Sequence, residues 1–329
     1  MIFDVRSYGG TPSPTGRNNN GDPIDQSNAI SAALQAANVN GQVFIPPGVW
    51  YVSKELNFTA RWVRGCNFYR ANGLTNALTA GATIIRAMPG TNLRAVASVM
   101  SSAARIQGLI FDAAGIADHG FYAMSMHGNP TYIENINALG AKKAGFHFQA
   151  CQVARLDGLL AQANLGSGFV LVDCNATRLL SPQALLNEGS GIVVIGDKAS
   201  GGVRIRDLDC ELNKGPAALD VSNTKASFQV DSGYIEHAVG DGILLNKVRY
   251  AVLRGLRVTG VGSGNAFHLK DTSDTLLDAC GAAPGPNTSA LPTPESYASI
   301  KRTGICNANV FRDCVRYYSV ELHGPLPVS

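Results

Sequence analysis

The sequence predicts an all-β protein, a right-handed parallel β-helix with a short N-terminal capping helix. Three observations predict it. Apolar anchors recur at Ile106, Ile133, Leu156, Leu179, Ile205, Val230, Leu253 and Leu276, in steps of 27, 23, 23, 26, 25, 23 and 23 residues. Near the middle of most repeats a small or turn residue precedes an apolar run, as in Gly145-Phe146-His147-Phe148, Gly168-Phe169-Val170-Leu171, Gly191-Ile192-Val193-Val194 and Gly242-Ile243-Leu244-Leu245. Asn265-Ala266-Phe267-His268-Leu269 continues the series. Each repeat therefore holds two or three short strands and leaves no room for a long helix. Leucine-rich repeats can share this period, but their Leu/Asn consensus is absent. Short strands that stack in register make a parallel β-helix, and the crossover rule favours the right-handed form.

The elements follow in order within one expected domain. Residues 1–55 read as the cap and first strands. In that region Asp25 to Ala37 carries Ala29, Ile30, Ala33, Leu34 and Ala37 at helical spacing, with Asp25 as the expected N-cap. A helix there can cover the open end of a solenoid, hiding its core and edge strands. Gly41-Gln42-Val43-Phe44-Ile45 then reads as a strand entering the Pro46-Pro47-Gly48 turn. The coils span 56–281. A Pro-, Gly-, Ser- and Thr-rich stretch marks an inserted loop over 282–304, and a last coil around Asn309 to Cys314 falls within 305–329.

Composition narrows the function classes. The chain has 329 residues, 45% hydrophobic and only 16% charged, with 36 glycines and a net charge of +3. That charge is too small to argue for nucleic acid, and no basic run is present, yet it would not repel an acidic glycan. No apolar stretch approaches the roughly 20 residues of a membrane helix. Met1-Ile2-Phe3-Asp4 lacks the charged and apolar regions of a signal peptide. Seven Cys without a Cys-x-x-Cys pair indicate neither a disulfide framework nor a zinc site. Cys151 and Cys174, one repeat apart, read as small core residues. No metal and no cofactor are expected.

The opening is similar to that of the pectate-lyase-like β-helix superfamily. The residues that carry the resemblance are Phe3-Asp4-Val5, Tyr8-Gly9-Gly10, Gly21-Asp22, Asp25, Ala29-Ile30-Ser31-Ala32-Ala33-Leu34 and Gly41 through Ser53. The resemblance implies the fold and a polysaccharide partner. Members include phage tailspikes, polysaccharide lyases, glycoside hydrolases and alginate C5-epimerases. It does not imply one reaction. The Asp-Pro-His-Glu tetrapeptide of the epimerases is absent. The Asn-Thr-Asp, Asp-Asp and Gly-His-Gly motifs of polygalacturonase-type hydrolases are also absent, as is the acidic calcium cluster of pectate lyases.

The repeat itself locates candidate chemistry. With the anchor at position 0, positions 0, 3 and 5 are apolar or small, so positions 4 and 6 face outward. Position 4 runs Ile110, Asn137, Leu160, Gln183, Asp209, Tyr234, Arg257; position 6 runs Asp112, Leu139, Gln162, Leu185, Glu211, Glu236, Thr259. Titratable groups concentrate on three consecutive coils. Asp209, Glu211, Glu236 and Tyr234 are the catalytic candidates, and Arg257, His237, Gln183 and Lys214 the substrate-binding ones. Like charges about one strand spacing apart raise a carboxyl pKa, which suits a general acid. Arg257 can instead neutralise a uronic carboxylate while Tyr234 or His237 takes the C5 proton, which is lyase chemistry. The competing reading is a surface ladder in which Arg257 and Lys214 neutralise Asp209, Glu211 and Glu236.

The expected function is a polysaccharide depolymerase, hydrolase or lyase, of the phage or prophage tailspike kind. It would be extracellular or virion-associated, with no membrane insertion. The alternatives are a non-catalytic carbohydrate-binding or structural tail protein, or a C5-epimerase relative. A homotrimer is expected if Leu139, Leu160 and Leu185, which face outward in this frame, pack against a neighbour. The same leucines can instead lie under a loop.

Overall fold

The structure is a computed structural model that describes residues 1–59, 61–66, 81–100, 104–126, 131–196, 202–262, 264–283 and 300–316. The chain is a parallel β-solenoid of about 7 turns with one short α-helix. Its contacts divide it into two compact units, Met1–Gly166 and Ser167–Ser329. Such a division is expected of a solenoid, where each repeat touches only its neighbours.

In the first unit the Ala-rich segment forms the helix Ser27–Ala37, which buries Ile30, Ala33, Leu34 and Ala37. The helix packs on strands Ile2–Asp4, Gln42–Phe44 and Leu56–Asn57, so its apolar stripe closes that end of the core. Gln26, not Asp25, occupies the N-cap position, and its side chain donates to Thr11 Oγ1 at 3.0 Å. Asp25 stands one residue earlier as a latch. Its carboxylate accepts from the Ser27 N–H at 3.0 Å, the Ser27 hydroxyl at 2.6 Å and the Ser53 hydroxyl at 2.5 Å. Donors from two segments hold the carboxylate better than the helix start alone. Trp50 is fully buried and donates its indole N–H to Pro46 O at 2.9 Å, so it packs the cap.

The anchors of this unit stack in register, Ile106 on Ile133 and Ile133 on Leu156. On the opposite sheet Phe121 pairs with Phe146, and a set of fully buried rings fills the interior between the sheets. Phe121 lies 5.4 Å from Phe111, 6.5 Å from Phe146 and 6.4 Å from Phe148, centroid to centroid. Positions 4 and 6 are not exposed here: Ile110, Asp112, Asn137 and Leu160 are buried. Val49, Ile84 and Ile110 stack in register on successive coils. Val49, Tyr51, Ala82 and Ile84 pack on Ile110, and Leu139 packs against this cluster. Leu160 is buried and Leu139 packs against this cluster, so neither is an exposed leucine that argues for a trimer.

In the second unit Leu179, Ile205, Val230 and Leu253 stack in register as the repeat predicts. The next anchor is corrected by one residue. Leu253 pairs with Leu277, which is fully buried, while Leu276 pairs with Val252 and is half-buried. Two adjacent leucines leave hydrophobicity unable to choose the register, and a one-residue slip exchanges the faces. The pleat is broken two residues after each anchor, where Ser181, Asp207, Ser232, Gly255 and Ala279 all adopt left-handed backbone, with φ between 48° and 60°. A left-handed L-residue costs about 1–2 kcal/mol. Repetition of the same bend in every coil keeps the ladder in register above and below it. Gly255, at φ 59°, meets the requirement without that cost. Of the expected inserted loop, residues 284–299 lie outside the described residues, while Gly281–Ala283 and Ile300–Thr303 at its ends are strands. The expected last coil carries strands Val310–Arg312 and Val315–Arg316, and residues 317–329 lie outside the described residues. All seven thiols are free, with Cys151, Cys174, Cys210 and Cys280 buried.

Candidate active site

Three consecutive strands of the second unit, Val203–Glu211, Phe228–Glu236 and Ala251–Thr259, build the candidate site. Leu208, Cys210, Ile235, Leu256 and Val258 are buried, so the pleat turns the intervening residues outward. The register then forms two columns. Gln183, Asp209, Tyr234 and Arg257 make one, and Leu185, Glu211, Glu236 and Thr259 the other. Three carboxylates therefore lie on two adjacent coils.

The two columns are cross-linked by specific contacts. The Gln183 amide donates to Asp209 Oδ2 at 2.7 Å. The other oxygen, Asp209 Oδ1, is buried and takes no hydrogen bond from a described group. Glu211 lies against it, and its carboxyl pKa is raised. Burial contributes most, followed by the Asp209 charge, a hydrogen bond shared with Asp209, and the Glu236 charge; His237 acts in the opposite direction. Glu236 faces His237 Nδ1 at 3.4 Å. Thr259 donates to the Tyr234 hydroxyl at 3.1 Å, and the Arg257 guanidinium lies over the Tyr234 ring at 5.9 Å.

Neither cation of the ladder reading neutralises this group. Lys214 pairs with Glu188 at 2.7 Å, and Arg257 stands within ion-pair distance of no carboxylate among the described residues. A charge ladder does exist on these coils, but at position 1, before the bend. There Asp231, Arg254, Asp278 and Arg312 alternate in sign, with separations of 4.0, 3.5 and 2.6 Å. The contrast separates two uses of charge. Alternating surface pairs are cheap to maintain, whereas stacked carboxylates without cations are destabilising and persist where chemistry needs them.

A stability measurement reads this destabilisation directly. The folded-state pKa of Glu211 lies above its unfolded value, so the folded protein binds the proton more tightly. Stability is lost as pH rises through the window between the two values. Glu211→Gln is expected to raise the melting temperature at neutral pH, and the gain should vanish below the ordinary carboxyl range. An equal effect at both pH values would contradict the raised pKa.

Other residues singled out by the sequence are engaged elsewhere. Asp112 is buried against Arg86, Nε to Oδ2 at 2.5 Å. Trp62 is held between the guanidiniums of Arg64 and Arg105, 5.8 and 5.2 Å from its ring. His147 stacks on Tyr122 at 5.0 Å and lies 4.8 Å from His119; burial lowers the pKa of both imidazoles, that of His119 to about 4. His147 is therefore a partly buried, ring-stacked group. Asp220 lies in a different column from Asn246 and Lys270. Asp220 stacks with Leu244 and His268, while Asn246 and Lys270 continue from Ser222 toward Thr303. Among the described residues no group of three or more His, Cys, Asp or Glu could hold a metal ion, and no helix is long and apolar enough to cross a membrane.

No protein-family model and no curated protein matches the chain. Solved structures do. The Dettilon tailspike protein matches 96% of the chain with a TM-score of 0.71 at 9% identity, and Geobacillus virus E2 ORF18 matches 96% with a TM-score of 0.63 at 12% identity. The chain spans 62% of the length of each. The A-module of the Azotobacter vinelandii mannuronan C-5 epimerase AlgE6 matches 98% of the chain, over 96% of its own length, with a TM-score of 0.58 at 14% identity. What these proteins share with the chain is its fold, a parallel β-helix.

Proposed function

We propose that the chain is a polysaccharide depolymerase that cleaves its substrate hydrolytically at the cluster of Asp209, Glu211 and Glu236, in the manner of a virion-associated tailspike. The observation that supports this most is the cluster of three carboxylates that no Lys or Arg among the described residues pairs with. Glycoside hydrolysis needs one carboxyl that keeps its proton and one that does not. Glu211, with its raised pKa, is the general acid, with the Asp209 charge beside it. Glu236, on the next coil beside His237, is the base or nucleophile. Gln183 fixes Asp209, and Tyr234 gives the sugar an aromatic face. Lys214 is engaged with Glu188. The fold shared with a tailspike and with a mannuronan epimerase supports a glycan substrate.

One observation favours a second reading. Among the described residues Arg257, beside Tyr234, has no carboxylate partner, which suits a uronate lyase in which Arg257 holds the sugar carboxylate. A panel of acidic and neutral glycans separates the two. New reducing ends without ultraviolet absorbance are the expected result. Reducing ends with absorbance from unsaturated sugars would replace hydrolysis by elimination. Neither signal across a broad panel would overturn the depolymerase and leave a binding or epimerising protein.

A further inference from the structure

The opposite sheet of the same unit carries a second constellation that the depolymerase chemistry does not use. Strands Asp241–Asn246, Phe267–Lys270 and Ile300–Thr303 pair in parallel, with Asn246, Lys270 and Thr303 in one column and Leu244, His268 and Lys301 in the other. His268 Nδ1 lies 2.8 Å from Asp241 Oδ2, and its Nε2 lies 3.0 Å from the Thr303 hydroxyl. Asp241 Oδ1 already accepts the Asn265 backbone N–H at 2.6 Å and the Asn265 side-chain amide at 2.9 Å. Oδ2 is therefore left for the imidazole, and a carboxylate can only accept, so Nδ1 carries the proton. Nε2 is then the lone-pair nitrogen, aimed at a hydroxyl. Both acid and base are largely shielded, with side chains 12% and 17% exposed. Thr303 ends its strand at Gly304, a left-handed residue with φ 70°, and the following turn is tied by Ile305 N–H to Asp271 Oδ1 at 2.9 Å. The hydroxyl is thus held by structure on both sides.

We propose that Asp241, His268 and Thr303 form an acyl-transfer site that hydrolyses carboxylic esters, specifically O-acyl groups on a carbohydrate. The roles follow from the hydrogen bonds. Thr303 Oγ attacks the ester carbonyl as His268 Nε2 takes its proton, while Asp241 holds the ring and balances the imidazolium. The tetrahedral oxyanion forms beside the Lys270 position, which is in register with Thr303 and supplies a positive charge. Collapse breaks the bond to the alcohol, which leaves with the proton from His268. Water, deprotonated by the same nitrogen, then releases the acid and restores Thr303. Atoms and charge balance with water as the only co-reactant. The ester chemistry stands on these residues alone; that the alcohol is a sugar rests on the proposed function.

The test uses the whole chain with p-nitrophenyl acetate and, in parallel, an O-acetylated polysaccharide and its deacetylated form. Multiple turnover is expected with p-nitrophenyl acetate, and free acetate is expected from the acetylated glycan. Thr303→Val, which keeps shape and removes the hydroxyl, should lower both by about 100-fold or more with its melting temperature unchanged, and Thr303→Ser should retain activity. Denatured quickly after mixing, the native protein should carry one acetyl group on the peptide containing Thr303. Cleavage of the deacetylated glycan should be the same in Thr303→Val as in the native protein. Turnover of the nitrophenyl ester with no acetate from the glycan would overturn the carbohydrate substrate but keep the ester site. Undiminished turnover in Thr303→Val, or acetyl found only on other residues, would overturn the site whatever the outcome of glycan cleavage.

Discussion

Exchange of Glu236 for Gln, or of Asp209 for Asn, is expected to lower glycan cleavage by about 10²–10⁴-fold, the range contributed by a positioned acid or base. Both changes keep side-chain volume and remove a charge. They also relieve repulsion within the cluster, so neither variant should be less stable than the native protein. A loss of activity with stability held or raised separates chemistry from folding. The internal control is Asp231→Asn. It removes a carboxylate from the adjacent coil position that belongs to the alternating ladder with Arg254. Its effect on cleavage should stay within about twofold, because surface pairs of this kind contribute little. Equal losses at Asp231 and Glu236 would mean that the columns differ in no functional respect. Full activity in both Glu236→Gln and Asp209→Asn would remove the site from this face.

The second large effect lies in the core of the first unit. Phe121 is fully buried and sits among Phe111, Phe146 and Phe148. Phe121→Ala leaves a cavity lined by rings that belong to different coils and cannot all move inward. A loss of about 3–5 kcal/mol is expected. For a unit of this size that corresponds to a fall in melting temperature on the order of 10 °C. Phe121→Leu, which refills most of the volume, should cost less than half as much. Thermal melts of the two variants check the ordering. A loss below about 1 kcal/mol for the alanine variant would contradict the stacked interior.

The sequence revealed the repeat because burial imposes it. Ile205, Val230 and Leu253 recur because each must fill the same place in the core, and their register followed directly. That register brought Asp209, Glu211, Tyr234, Glu236 and Arg257 together correctly. Three things were not legible, each for a physical reason. Leu276 and Leu277 are equally apolar, so the slip between them is decided by the bend at Ala279 and not by hydrophobicity. The burial of Ile110 and Asp112 involves Ile84 and Arg86 of an earlier coil, which a repeat beginning at Ile106 does not contain. Side-chain pairing was hidden as well. The sequence places Lys214 near the acidic coils, but only the geometry of its turn directs it to Glu188. The Asp241–His268–Thr303 set escaped for a related reason. Its members fall in different columns, so reading one column at a time does not bring them together. The two hydrogen bonds of His268 are the signal.

The most direct test of the central claim is a crystal structure of Glu236→Gln soaked with an oligosaccharide of the cleaved glycan. The sugar should cross the cluster with a glycosidic oxygen within hydrogen-bond distance of Glu211 and an anomeric carbon facing residue 236. An oligosaccharide bound elsewhere on the chain, with the Asp209–Glu211 pair unoccupied, would contradict the assignment of the carboxylate cluster as the cleavage site.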